Sequence, residues 1–203
     1  MTGAEGMTGE RAEDELVDEV IVEDDAAAAR VAAGSGAATT WRGPSVGRWT
    51  LFAAIAIAVV VLDQASKAWL TGQLDPGQSM TVLGEWLRFV HGQNSGILFG
   101  LLPQSAPAFA VVSLAVTALI VVYHAKAGRG VVTTVALGLL LGGAIGNLLD
   151  RLNHGYVVDW IDMGIGTLRF WTYNVADASI TTAILLLLAM AAVPRIGEWG
   201  ADG

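Results

Sequence analysis

Four long apolar runs follow residue 48 and dominate the pattern of hydrophobic and polar positions along the chain. They lie at about residues 49–70, 105–123, 131–149 and 178–193, and Pro194 ends the last run. A helix of about 20 apolar residues crosses the hydrocarbon core of a bilayer. The pattern therefore predicts an all-α integral membrane protein with four transmembrane helices. The spans form a membrane domain at residues 49–196, and a short tail follows at 197–203.

One segment between the first two spans has a different pattern. Residues 80–90 are rich in β-branched and aromatic side chains, and Gly84 lies in the middle as a turn or bulge. Such a composition is typical of strands. We therefore expect a small extracytoplasmic β-element, a hairpin or sheet, that rests on the membrane surface.

Basic residues near the ends of the spans predict the orientation. Cytoplasmic loops of membrane proteins carry an excess of Lys and Arg. The residues that would share one side are Arg42, Arg48, Lys126, Arg129 and Arg195. The opposite side has Arg88, Arg151 and Arg169, spread over two longer loops at 71–104 and 150–177. Both termini are therefore expected in the cytoplasm, and these two loops outside.

Charge and cysteine content narrow the possible functions. The net charge is −8, and residues 1–48 contribute ten acidic and four basic residues to it. No aromatic residue precedes Trp41, and the segment cannot bury enough apolar surface to offset the entropy of ordering it, so it is predicted to be a disordered acidic cytoplasmic arm, to which no function is assigned. No basic surface for nucleic acid is visible. The chain has no cysteine, which excludes disulfides and thiolate chemistry.

Polar residues cluster near the predicted outer ends of the spans. Ionisable groups are costly inside a bilayer, so each one is a candidate for function. If the helices form a bundle, these groups converge at one depth. The cluster consists of Asp63, Gln64, Lys67, Asn147, Asp150, Arg151, Asp159, Asn174 and Asp177.

Several members of this cluster have structural interpretations. Asp63 and Lys67 are four residues apart and can form an ion pair on one helix face. Asp150 and Arg151 can also be a structural pair, or Arg151 can clamp a substrate carbonyl or carboxylate. Asp177 lies where a helix begins, which suits an N-cap.

Asp159 and Asp177 can instead form a catalytic pair. Two close carboxylates cannot both ionise easily, so one keeps a proton while the other activates water. Ser95, with His91 or His154 as a base, is a weaker scheme because the Gly-x-Ser-x-Gly motif is absent. A zinc site lacks the HExxH pattern, so no metal or cofactor is expected.

Five sequence blocks, in order, resemble those of bacterial lipoprotein signal peptidase, also called signal peptidase II. They are DQASK at 63–67, NSGILF at 94–99, GGAIGNLLDR at 142–151, VVD at 157–159 and YNVAD at 173–177. The chain departs from the family pattern at Trp160, Tyr173, Ile97 and Leu98. All four residues keep apolar bulk, so the departures bear on pocket shape and substrate preference more than on the chemistry.

The resemblance implies roles for individual residues. Asp159 and Asp177 would be the catalytic dyad. The residues that would bind substrate or line the site are Asn94, Gly96, Asn147, Arg151 and Asn174. Asp63, Lys67 and Asp150 would be supporting polar residues.

The resemblance also implies a substrate and a location. The substrate would be a prolipoprotein whose cysteine already carries diacylglycerol, cut just before that cysteine. The enzyme would be a multi-pass protein of the bacterial plasma membrane, with its active site near the outer face. Membrane lipids would surround it, and neither nucleic acid nor an obligate protein partner is expected.

Two other classes of function fit a polar cluster within a helical bundle. A small channel or transporter would use the charged residues as an ion path and would show flux without proteolysis. A non-enzymatic scaffold would use the cluster to join helices, so that conservative changes of Asp159 would reduce stability rather than turnover.

Overall fold

A computed structural model describes residues 43–95 and 106–200 of the chain, so most of the predicted acidic arm lies outside the described residues. Four longer helices coincide with the four predicted apolar runs. They are α1 (Val46–Thr71), α2 (Ala106–Ala127), α3 (Val131–His154) and α4 (Val175–Ala192), and a short helix α5 (Arg195–Glu198) follows. Helix α4 begins three residues earlier than predicted, and this places Asp177 inside the helix.

Three of these helices, α1, α3 and α4, are long and apolar enough to cross a membrane. The apolar stretch Val111–Ala127 within α2 is shorter. The described residues therefore contain three candidate spans and one shorter apolar helix, and the predicted count of four spans depends on α2.

Helix α3 packs against α1, α2 and α4. Two adjacent glycines allow two of these helices to approach it closely. A Cβ atom at Gly142 would lie 2.6 Å from Val59 Cβ of α1, and one at Gly143 would lie 2.5 Å from the Ala176 carbonyl oxygen of α4. Small residues at such crossings are typical of helix packing in membranes. An apolar core forms on the α1 and α2 sides of α3, from Phe52, Ala56, Ile120, Leu137 and Leu141.

An antiparallel sheet connects to one end of the bundle, which we call the sheet end. Its strands are β1 (Ser79–Leu83), β2 (Leu87–Asn94), β3 (Val157–Ile165) and β4 (Leu168–Arg169), in the order β1-β2-β3-β4. The predicted hairpin is confirmed: β1 and β2 pair around a turn in which Gly84 has φ +49°. Strand β3 was not predicted, because residues 150–177 were interpreted as a loop. The protein is therefore a helical membrane protein with a four-stranded sheet, which extends beyond the hairpin or small sheet expected at residues 80–90.

The last described residues pack at the opposite end of the bundle. The main-chain N–H of Val131 donates to the Trp199 carbonyl at 3.1 Å. Arg48 donates through Nε to the Arg129 carbonyl at 3.0 Å and through Nη2 to the Gly200 carbonyl. Residues 197–200, which belong to the predicted tail, therefore cover the start of α3 and join it to α1.

Candidate active site

The two predicted catalytic acids lie on different elements at the sheet end. Asp159 is on strand β3 and is only 2% exposed, and Asp177 is half-buried in the first turn of α4. The N-cap of α4 is Asn174, whose side chain accepts the main-chain N–H of Asp177 at 2.9 Å. The prediction that Asp177 is itself the N-cap is therefore wrong. Asp177 is the N3 residue of a capping box: one of its carboxylate oxygens accepts the main-chain N–H of Asn174, and the other is left for another partner.

Asn174 bridges the two acids. Its side-chain Nδ2 donates to Asp159 Oδ1 at 2.8 Å, and its main-chain N–H donates to Asp177 Oδ2 at 3.2 Å. The residue is fully buried. One asparagine therefore caps the helix and fixes a carboxylate oxygen of each acid.

Two further asparagines donate to the remaining carboxylate oxygens. Asn94 Nδ2 of β2 donates to Asp159 Oδ2 at 2.9 Å, and Asn147 Nδ2 of α3 donates to Asp177 Oδ1 at 2.7 Å. These donors are neutral amides, so they orient the two carboxylates without adding a positive charge. Asn94, Asn147 and Asn174, which the resemblance had grouped, are thus brought together around Asp159 and Asp177.

The environment of Asp159 favours its protonated form. Burial raises the pKa of Asp159 to about 6; the hydrogen bond from Asn94 opposes this rise, and the charge of Asp177 adds to it. A carboxyl group with a pKa near neutrality can exchange a proton at physiological pH. The group is therefore suited to acid–base chemistry.

A buried lysine forms ion pairs with two carboxylates next to the site. Lys67 Nζ lies 2.7 Å from Asp63 Oδ2 and 2.9 Å from Asp150 Oδ2, and all three side chains are buried. The predicted Asp63–Lys67 pair is confirmed. Asp150, which was predicted to form a structural pair with Arg151, also accepts from Lys67, Gln64 and the main chain of β3. Lys67 also donates to Asn147 Oδ1 at 3.3 Å.

Both carboxylates bound to Lys67 hold the main chain next to a candidate catalytic acid. Asp63 Oδ1 accepts the N–H of Ala176, the residue before Asp177, at 2.9 Å. Asp150 Oδ2 accepts the N–H of Val158, the residue before Asp159, at 2.9 Å. The lysine therefore connects the positions of the two acids through two short hydrogen-bonded chains.

The other predicted site residues differ in how much the structure describes. Arg151 is half-buried on α3, and its Nη1 donates to the Asn147 carbonyl at 3.1 Å. Gly96 lies outside the described residues. Among the described residues, no group of three or more His, Asp or Glu has an arrangement that could hold a metal ion.

The sequence analysis placed Gln64 in the polar cluster without assigning it a role, and it did not consider Asp162. Gln64 donates to Asp150 Oδ1 at 2.9 Å and to the Gly146 carbonyl at 3.2 Å, and so joins α1 to α3. Its position beside Asp63 was the only signal of this role in the sequence.

Asp162 of β3 binds Arg88 of β2 at 2.6 Å and Arg169 of β4 at 3.0 Å. Burial alone would raise the pKa of Asp162, but the two arginines hold it below its usual value, and the cluster joins three strands.

A cavity of about 370 Å³ adjoins one of the acids. Tyr173, Asp177, Ala178 and Thr181 line it. It gives a ligand access to the Asp177 side of the pair, next to the first turn of α4. The site is therefore a recess at the sheet end in which a buried and a half-buried acid, three amides and an arginine lie close together.

The profile of a family described as signal peptidase (SPase) II matches residues 55–193, which include every candidate site residue. The chain belongs to the signal peptidase II family. It is 39% identical over 140 residues to the lipoprotein signal peptidase of Staphylococcus carnosus, covering 68% of this chain and 87% of that protein. It is 44% identical over 151 residues to the lipoprotein signal peptidase of Caulobacter vibrioides, covering 69% and 84%.

Solved structures agree with this membership of the signal peptidase II family. One bacterial membrane enzyme superposes with a TM-score of 0.67 at 27% identity, over 81% of this chain and 99% of its own. A second gives a TM-score of 0.66 at 29% identity, over 76% and 97%. The bundle with its small sheet is therefore the fold of a membrane enzyme, and the chain is a peptidase by family.

Proposed function

We propose that this protein is a membrane aspartyl endopeptidase that removes signal peptides from diacylglyceryl-modified prolipoproteins by cutting just before the lipidated cysteine. The observation that carries the proposal is the double attachment of Asn174, which holds an oxygen of Asp159 and an oxygen of Asp177. A pair of acids aligned in this way suits water activation. Relatives named lipoprotein signal peptidase supply the class of substrate.

The proposed chemistry needs one proton on the dyad. The ionised carboxylate takes a proton from water, and the water oxygen forms a bond to the scissile carbonyl carbon. The protonated carboxyl group gives its proton to the carbonyl oxygen. When the tetrahedral intermediate collapses, the C–N bond breaks and the proton taken from water passes to the amine nitrogen of the leaving cysteine. As the C=O bond forms again, one hydroxyl group of the intermediate returns its proton to the dyad. The dyad ends with one proton, as it began.

The surrounding residues keep the two acids in position for this reaction. Each carboxylate oxygen of the two acids accepts one hydrogen bond from an asparagine, so its second lone pair remains for water or the substrate. Lys67, Asp63 and Asp150 hold the adjoining main chain. In the proposal Arg151 binds a substrate carbonyl, since a guanidinium presents a rigid fork of donors.

The proposed setting is the bacterial plasma membrane, with four spans, cytoplasmic termini and the sheet end at the outer face. The basic residues near the ends of the spans favour this orientation. A lipid-modified substrate lies in the outer leaflet at the depth of the sheet end. An active site at that depth meets the lipidated cysteine without removing its acyl chains from the membrane.

The proposal can be tested with the purified full-length protein. A prolipoprotein carrying diacylglycerol should be cut before its cysteine, and the unmodified form should be cut far more slowly. Asp159→Asn and Asp177→Asn should each reduce kcat by at least about a thousandfold, whereas Asp75→Asn, which changes an exposed acid, should not. Chelators should leave the rate unchanged. Cleavage at more than a few per cent of the normal rate in either dyad variant would refute the assignment.

A further inference from the structure

Two buried nitrogen atoms near Asp159 have no hydrogen-bond partner among the described residues. One is Nε2 of His91, a residue of β2 that is 6% exposed. The other is the indole Nε1 of Trp160, which follows Asp159 on β3 and is half-buried as a whole residue. Buried polar atoms in native proteins nearly always have a partner, so two unpaired ones beside a candidate catalytic acid need an explanation.

The two nitrogen atoms are complementary. Nδ1 of His91 lies 2.8 Å from the carbonyl oxygen of Leu74, which can only accept, so Nδ1 carries the hydrogen. In the neutral imidazole, Nε2 is then an acceptor. The indole Nε1 of Trp160 can only donate. A buried acceptor and a buried donor are therefore both left over in this part of the sheet.

A β-bulge places the two residues opposite each other. Between two regular pairs of β2 and β3, β2 has two residues, Val90 and His91, whereas β3 has only Trp160. The pairs on either side are Phe89–Ile161 and Gly92–Asp159. Bulges are frequent next to active sites, where they re-aim side chains. His91 and Trp160 therefore share the irregular position immediately beside Asp159.

The side chains of the bulge lie against the end of α1. The rings of Trp160 and Phe89 have centroids 5.0 Å apart, and Phe89 contacts Trp69 of α1 with a centroid distance of 5.9 Å. The His91 ring is bound to Leu74, which lies in the turn that follows α1. Both rings with an unpaired nitrogen are therefore held at the same end of one helix.

We infer that one buried water molecule joins Trp160 Nε1 to His91 Nε2, and that this link makes the two residues positioning residues for Asp159. The water accepts from the indole and donates to the imidazole, so it gives both atoms a partner. Buried waters in proteins typically bridge two to four polar groups in this way. The catalytic part of the inference rests on the proposed function, whereas the water link does not.

The link acts on Asp159 through the main chain. Trp160 is its neighbour on β3, and His91 is itself fixed, because its main-chain N–H and carbonyl each form a hydrogen bond of 2.9 Å to the turn after α1. A Cβ atom at Gly92 would lie 2.9 Å from the Asp159 carbonyl oxygen, so the two strands are in close contact here. A shift of the bulge would therefore move Asp159 relative to Asn94, its donor on β2.

Nuclear magnetic resonance of the full-length protein in detergent, with ¹⁵N-labelled tryptophan, tests the link without a substrate. The indole signal that disappears in Trp160→Phe belongs to Trp160, and its proton should show a cross-peak to water. This proton should move upfield in His91→Leu but keep its position in His91→Gln, because glutamine offers an acceptor for the water and a donor for the Leu74 carbonyl. A missing cross-peak, or an equal shift in both variants, would overturn the link.

Thermal unfolding provides a double-mutant cycle. Trp160→Phe leaves the His91 acceptor unpaired and His91→Leu leaves the Trp160 donor unpaired, so each change should lower Tm. The double variant removes both atoms, so its loss should be smaller than the sum of the single losses by about 2–4 °C. Trp171→Phe, which replaces an indole that is 84% exposed, is the matched control and should add to His91→Leu without coupling. Additive losses in the Trp160 cycle would contradict the inference.

Kinetics tests the positioning role. Trp160→Phe and His91→Leu should each lower kcat about tenfold with KM unchanged, because the dyad is misaligned while the substrate still binds. His91→Gln should keep the kcat of the unchanged protein. Normal kcat in Trp160→Phe would show that the link does not position Asp159. If the unchanged protein cuts no prolipoprotein, the proposed function fails, and the water cross-peak and the Tm cycle still decide the link.

Discussion

Asp63 Oδ1 accepts the main-chain N–H of Ala176 at 2.9 Å, so a carboxylate on α1 holds the residue immediately before Asp177 on α4. Asp150 does the same for Val158, the residue before Asp159. Both carboxylates are bound to Lys67. The alignment of the proposed dyad therefore depends on a lysine whose two ion pairs are with Asp63 and Asp150.

Lys67→Met should destabilise the protein and slow catalysis. The change leaves Asp63 and Asp150 buried without their cation, and breaking a buried pair in this way costs about 3–5 kcal/mol. Thermal unfolding in detergent and kcat at a permissive temperature would measure the two effects. Lys126→Met, which removes an exposed lysine from α2, is the control. Equal Tm values for the two variants would show that Lys67 does not stabilise the site.

Asn174→Ser should separate helix capping from dyad alignment. Serine is as good an N-cap as asparagine, so this variant should lose less stability than Asn174→Ala, which also loses the cap. The serine lacks the amide that donates to Asp159, so kcat should fall about a hundredfold. Asn174→Ala loses both functions and should lower Tm as well as kcat. A serine variant with normal kcat would mean that the Asn174–Asp159 hydrogen bond is dispensable.

The pH dependence of kcat/KM should follow the proton on Asp159. Burial raises the pKa of Asp159 to about 6, so kcat/KM should fall as the pH drops below about 6 and the dyad gains a second proton. The hydrogen bond from Asn94 favours the ionised form, so Asn94→Leu should move the midpoint to higher pH. Asp75→Asn should leave the profile unchanged. An unmoved midpoint in Asn94→Leu would contradict this account of the group.

The same raised pKa predicts a stability effect. A carboxyl group whose pKa is higher in the folded protein than in the unfolded chain makes folding less favourable once the pH exceeds its unfolded value near 4. This cost grows up to the folded pKa of about 6 and then stays constant. Asp159→Asn should therefore raise Tm relative to the unchanged protein at pH 8, and the difference should vanish near pH 4. Thermal melts across this range would measure it, and a difference independent of pH would refute it.

Gly143→Ala should separate α4 from α3. A Cβ atom there would lie 2.5 Å from the Ala176 carbonyl oxygen, so the start of α4, which carries Asp177, must move. We expect lower Tm and lower kcat, although alanine normally favours a helix over glycine by about 1 kcal/mol. Gly47→Ala is the matched control, since its Cβ would meet nothing closer than 3.8 Å. Retained kcat in Gly143→Ala would show that this close contact can relax.

The sequence predicted the parts of this structure that local patterns determine. Apolar runs predicted the longer helices, the four-residue spacing predicted the Asp63–Lys67 pair, and Gly84 predicted the hairpin turn. Strand β3 was missed because its partner β2 lies more than sixty residues earlier. Two valines beside a lone aspartate do not reveal such a distant partner.

The sequence predicted the contacts of the charged side chains less well than it predicted the helices. Asp150 was paired only with its neighbour Arg151, and its ion pair with Lys67 on α1 was not predicted. Asp177 was interpreted as a cap because the helix start was placed at Ala178, whereas Asn174 begins the capping box. Both errors come from helix rotation and boundaries, which depend on packing between elements. The resemblance identified the right group of residues without giving their hydrogen bonds.

The pairing of β2 with β3 also has a consequence for when this protein becomes a protease. Asp159 belongs to the sheet and Asp177 to a helix, and Asn94 reaches Asp159 only after strands far apart in the chain have joined. A chain still emerging from the ribosome lacks the hydrogen bond from Asn94 to Asp159 until β2 has paired with β3. Under the proposed function, hydrolytic activity therefore begins only after this long-range pairing has formed.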